Sequence, residues 1–156
     1  MNRVPMYIFD LDGTIALIDH RRPILDNKAD SKRWDKFFEA CDQDVPNLPV
    51  IHTLRALHYA SADVRIFSGR SEAVRDKTVK WLLKHTTFTT GELARKLRMR
   101  PEGDYTPDDE LKWKWYYELS TEEQLRLIAV FDDRQKVVDM WRTIGVACFQ
   151  VAPGDF

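Results

Sequence analysis

Four aspartates fall in two tight pairs, Asp10 with Asp12 and Asp132 with Asp133, and each pair follows a short apolar run. Four carboxylates brought together cannot all stay ionised without a cation among them. Oxygen ligands of this kind suit Mg²⁺, which keeps several waters and is often shared with a substrate phosphate. Gly13 lets backbone N–H groups approach an anion, and Thr14, Ser68 and Arg70 add donors. Carboxylates, a divalent cation and donors together point to phosphoryl transfer. Asp10 can then act as nucleophile. Asp12, two residues on, can protonate the leaving oxygen and later activate water.

Something must carry residues 10, 68 and 132 to one place. Apolar runs over 6–9, 64–67, 97–100, 127–131 and 146–151 predict strands. Helices are expected over 31–41, 47–60, 71–84, 107–119 and 134–144. The evidence for them is spacing such as Val50, Leu54 and Leu57, or Val74, Thr78, Trp81 and Leu82. Asp108, Asp109 and Glu110 give the fourth of these helices an acidic first turn, which suits the dipole. Strands alternating with helices predict an α/β fold around a parallel sheet. In such sheets the ligand site lies outside the carboxyl ends of the strands. Asp10-Leu11-Asp12, Ser68-Gly69-Arg70 and Asp132-Asp133 each follow a strand, so they should converge on one edge.

With those residues in hand a family can be named. Asp10-Leu11-Asp12-Gly13-Thr14 resembles the DxDGT signature of haloacid dehalogenase (HAD) superfamily phosphatases. Ser68, Lys112 and Asp132-Asp133 follow in the order of that superfamily's remaining motifs. Most of the chain is also similar to the 3′-phosphatase domain of bacteriophage polynucleotide kinase-phosphatases, most clearly from Asp132 to Phe156. The resemblance implies a Rossmann-like HAD fold, with a central parallel sheet, flanking helices and a minimal cap. Residues 1–156 would form one domain, with a cap-like insertion at about 16–49. It implies Asp10 as nucleophile and Mg²⁺ ligand, Asp12 as general acid/base and also a metal residue, and Asp132 and Asp133 as holding the metal directly or through water. Lys112 would be catalytic. Gly13, Thr14, Arg21, Ser68, Gly69, Arg70, Arg100 and Asp108 would handle phosphate or the adjoining substrate, with Asp108 orienting Lys112 or another cation. The activity implied is Mg²⁺-dependent removal of a 3′-phosphate from a nucleic-acid or nucleotide end through an aspartyl-phosphate. A separate kinase or ligase is an expected partner, and the compartment is the cytoplasm, of the host cell if the chain is phage-encoded.

Composition narrows the alternatives. A chain of 156 residues with 44% apolar and 31% charged residues fits one soluble globular unit. A net charge of -1 gives no global attraction for nucleic acid or an anionic membrane. Residues 70–100 hold nine basic and three acidic residues, a local excess able to guide a backbone or simply to solvate a helix. No apolar run reaches the roughly 18 residues of a membrane span, and residues 1–10 do not read as a signal peptide. Cys41 and Cys148 form no CxxC motif, and His20, His52, His58 and His85 no metal pattern. No GxxxxGK[ST] loop is present, so a 5′-kinase activity is not expected of this sequence. Trp81, Trp113, Trp115 and Trp141 are expected in the core, and Trp34 beside the site. Two rival readings share the motifs: a 5′-nucleotidase or other small-metabolite phosphatase, and a non-catalytic nucleic-acid-binding module on the same scaffold.

Overall fold

The apolar run Met6–Phe9 forms the central strand β1 in a computed structural model that describes residues 3–154. The other strands are β2 (Ala16–Leu17), β3 (Val45–Pro46), β4 (Asp63–Ser71), β5 (Leu97–Arg100), β6 (Leu127–Arg134) and β7 (Cys148–Gly154). The helices are α1 (Arg33–Glu39), α2 (Leu48–Tyr59), α3 (Arg75–His85), α4 (Thr90–Lys96), α5 (Asp108–Tyr117), α6 (Thr121–Arg126) and α7 (Gln135–Thr143). Five strands make one sheet in the order β5-β4-β1-β6-β7, and every pairing is parallel. This is the sheet the alternating pattern predicts.

Side chains of successive strand residues point to opposite faces. Ile8 and Phe67 accordingly enter one buried cluster with Trp115, Val137 and Trp141. Phe9 and Ile66 enter the other, with Leu54, Trp81 and Leu82. Both faces of the sheet are therefore covered by helices, and β1 is apolar throughout because it is buried on both sides. Trp113 departs from expectation. It lies on the outer side of α5, 47% exposed, with its ring 4.7 Å from that of Tyr117.

Several boundaries differ from the sequence reading in one consistent way. β4 runs on through Ser71 and β6 through Arg134, so the polar clusters are strand ends rather than exit loops. Their pairing shifts register between Ser68 and Ser71, and between Asp132 and Arg134. Such irregularities re-aim side chains beside active sites. α4 and α6 were not expected, being only 7 and 6 residues long, too short for a periodic signal. Each opens on a capping box, Thr89 with Glu92 and Ser120 with Glu123.

The segment after β1 leaves the sheet and comes back. β2 pairs antiparallel with β3, joining Ala16 to Pro46 and Leu17 to Val45. Between them lie two single-turn 3-10 segments and α1, held down by buried Phe37 and Cys41. Among the described residues no helix is long and apolar enough to cross a membrane.

Candidate active site

Parallel β1, β4 and β6 bring Asp10, Ser68 and Asp132-Asp133 to the carboxyl edge of the sheet. All four side chains are buried. One carboxylate oxygen from each of Asp10, Asp132 and Asp133 lies within 4.8 Å of the others. Lys112 reaches this group from α5, with Nζ donating to Asp10 Oδ1 at 2.6 Å and to Asp132 Oδ2 at 2.9 Å. Its neighbour Lys114 stands outside, exposed. The Thr14 hydroxyl lies within reach of both Asp10 Oδ2 (3.3 Å) and Asp133 Oδ1 (3.4 Å).

Burial pushes the Asp10 and Asp132 carboxyls above their ordinary range despite the pull of Lys112. Burial, with Asp132 alongside, carries Asp133 to about 7. Burial alone would lower the Lys112 ammonium, but Asp10, Asp132 and Asp108 outweigh it and keep the lysine charged. Three buried carboxylates thus face one ammonium, and the negative charge left over fits a hard divalent cation. Asp10, Asp132 and Asp133 would hold it.

Gly13 makes this close packing possible. Its φ is +84°, and a Cβ there would sit 2.2 Å from Asp133 Oδ2. Gly13→Ala therefore combines left-handed strain with a displaced carboxylate. The variant is expected to lose about 1–3 kcal/mol of stability in urea unfolding. A loss within about 0.5 kcal/mol would show that the loop relaxes freely.

Asp12 does not join the carboxylate trio. Its Oδ1 accepts from Arg21 Nη2 at 2.7 Å, from Arg70 Nε at 3.2 Å, and from Arg70 Nη2. Burial favours its neutral form, but Arg70 and Arg21 outweigh that and hold the carboxyl below its usual range. The expectation that Asp12 sits with the metal carboxylates gives way because two guanidiniums hold its side chain elsewhere. Arg21 and Arg70 are also placed differently from expectation. Both are wholly buried against Asp12 and Asp44. Arg21 further donates to the Phe37 carbonyl at 3.2 Å and lies 4.1 Å over that ring. They hold the Asp12 carboxylate, and neither lines the cavity beside it.

Asp44 is the residue the sequence did not reveal. It accepts from Arg21 Nε and Nη2, each at 2.7 Å, and from Arg70 Nη2 at 2.9 Å, and it lies 2.7 Å from His20 Nε2. Its backbone carbonyl accepts from Trp81 Nε1 at 2.8 Å. No local motif marks it, because its partners are 23 and 26 positions away.

A cavity of about 360 Å³ opens from Asp10 and Asp12. Gly69, Arg100, Asp108 and Asp133 line it, as do Trp34 and Tyr105. Asp108 accepts from Arg100 Nη2 at 3.0 Å and lies 3.8 Å from Lys112 Nζ. A Cβ on Gly69 would meet Asp108 Oδ1 at 2.0 Å, so glycine is what lets that carboxylate approach the strand. The Ser68 hydroxyl accepts from the Arg70 backbone N–H at 3.1 Å and is buried.

A family model for the polynucleotide kinase PNKP phosphatase domain matches residues 5–156. Over 138 residues the chain is 32% identical to a protein of Autographa californica nuclear polyhedrosis virus assigned as a bifunctional polynucleotide kinase/RNA ligase, covering 88% of this chain and 18% of that protein. A chain from a Pnkp1/Rnl/Hen1 RNA repair complex superposes with a TM-score of 0.77 at 32% identity, over 98% of this chain and 44% of that one. The class C acid phosphatase of Bacillus anthracis shares the fold, with a TM-score of 0.64 at 15% identity over 99% of this chain and 68% of that one. The chain spans less than half the length of the first two relatives.

Proposed function

The chain belongs to the polynucleotide kinase PNKP phosphatase-domain family, phosphatases on the HAD fold, and from that premise we propose that it removes 3′-phosphate from nucleic-acid ends through an aspartyl-phosphate on Asp10. The observation that carries this reading is the placement of Asp10, which is buried, lines a cavity and accepts from Lys112 Nζ at 2.6 Å. In the first step Asp10 bonds to phosphorus as the bond to the 3′ oxygen breaks, and the leaving oxygen takes a proton from Asp12. In the second, ionised Asp12 takes a proton from water, which attacks phosphorus and releases Asp10 with inorganic phosphate. Asp12 thus regains the proton it gives up in the next turnover. The ionised form that Arg21 and Arg70 favour is the one the second step uses. Asp10, Asp132 and Asp133 would hold Mg²⁺, which when bound would supply charge neutralisation for the phosphoryl oxygens. Lys112 adds a fixed positive charge at the attacking carboxylate.

Residues 1–156 act in this reading as one catalytic unit, with residues 16–49 as a minimal cap. The product is a 3′-hydroxyl end, the group a ligase joins. An RNA repair role beside a kinase or ligase follows, and the similarity to the RNA repair complex chain supports it.

The test is phosphate release from a 3′-phosphorylated oligonucleotide, a 3′-mononucleotide and a 5′-mononucleotide, each with Mg²⁺ or with EDTA. The two 3′ substrates are expected to be hydrolysed, and EDTA to stop the reaction. Turnover of the 5′-mononucleotide alone would make the enzyme a nucleotidase. No turnover of any substrate would favour a binding module.

A further inference from the structure

Building on that reading, we propose that Trp34 determines specificity by stacking on the base of the terminal nucleotide, and that the flanking phosphodiester backbone contributes little to binding. Two features of the cavity lead there. The first is an aromatic wall on α1. Trp34, Phe37 and Phe38 line the cavity together, with Trp34 5.8 Å from Phe37 and 5.9 Å from Phe38, ring centre to ring centre. Phe37 is buried and itself lies under Arg21, so the wall is anchored from behind. Trp34 and Phe38 are both half-buried, and of the two Trp34 carries the larger ring system.

The second feature is the charge of the lining. Arg100, Arg134 and Lys136 are the cavity's cationic side chains among the described residues. Each already has a carboxylate partner: Asp108 at 3.0 Å from Arg100 and 3.7 Å from Arg134, and Asp109 at 3.2 Å from Lys136. Asp35, Glu102 and Asp104 add further negative charge around the opening. The basic excess of residues 70–100 does not reach the cavity as free cations either. Arg70 is buried with Asp12 and Asp44, and Arg98 is paired with Glu118. An extended phosphate backbone would meet carboxylates and committed cations. A terminal base would meet an indole face, and such stacking tolerates any base because every base has a π-face.

Steady-state kinetics on a dinucleotide 3′-phosphate, a 3′-phosphorylated 20-mer and glycerol 2-phosphate, which lacks a base, test the proposal. Stacking is worth about 1–3 kcal/mol per base, so Trp34→Ala should lower the kcat/KM ratio of dinucleotide to glycerol 2-phosphate by about 5–150-fold, mainly through KM. Trp34→Phe should restore most of the ratio. The wild-type slope of log kcat/KM against log salt should stay below about 1 in magnitude for the 20-mer. Equal losses on both small substrates in Trp34→Ala would mean a structural role and overturn the proposal, as would a steep salt slope. A wild type that prefers 3′-nucleotides with a Trp34→Ala ratio unchanged defeats stacking alone. A wild type active only on glycerol 2-phosphate defeats the 3′-end reading as well.

Discussion

Asp10→Asn lowers phosphate release by about 10³-fold or more while the protein stays folded. The magnitude follows from what removing a nucleophile costs when the rest of a site is intact. The amide keeps the shape of the carboxylate but cannot form the acyl-phosphate bond of the first step. The fold tolerates the change because the native site is crowded with like charge. Asp132, Asp133 and Asp108 all push against an ionised Asp10. Removing one charge relieves that repulsion as it weakens the contact to Lys112, which still has Asp132 at 2.9 Å. Circular dichroism and urea unfolding should therefore lie near wild type while kcat collapses. A variant with more than about a tenth of wild-type kcat would remove Asp10 from the nucleophile's role.

The carboxyl edge of the sheet was legible because its signals are local. Asp10, Ser68 and Asp132 each end an apolar run, and a parallel sheet does the rest. Lys112 could be told from Lys114 by its spacing from Asp108, which places Lys112 on the helix face turned to the edge. Arg21 and Arg70 could not be read the same way. Their types indicate phosphate binding, but their roles depend on Asp44, whose position is set by the β2–β3 pairing. A two-residue strand leaves no periodic trace. Trp113 misled for the opposite reason, since a tryptophan on an otherwise core-facing helix reads as core until the face it occupies is known.

Asp44→Ala is expected to cost about 3–5 kcal/mol in urea unfolding, the range for removing one partner from a buried ion pair. The native cluster sets two guanidiniums, Arg21 and Arg70, against two carboxylates, Asp12 and Asp44. Both arginine side chains and that of Asp44 have no solvent exposure, so water cannot replace a lost partner. Without Asp44 the pair of arginines would share Asp12 as their remaining carboxylate partner in the cluster and leave a buried positive charge uncompensated. That arrangement also harms catalysis, because an Asp12 held by two otherwise unpaired arginines resists the protonation the first step requires. Asp44→Asn separates the two effects. It keeps volume and an acceptor oxygen but removes the charge, so kcat should fall with a smaller loss of stability than in the alanine variant. A stability loss below about 1 kcal/mol in Asp44→Ala would mean that the arginines find other partners.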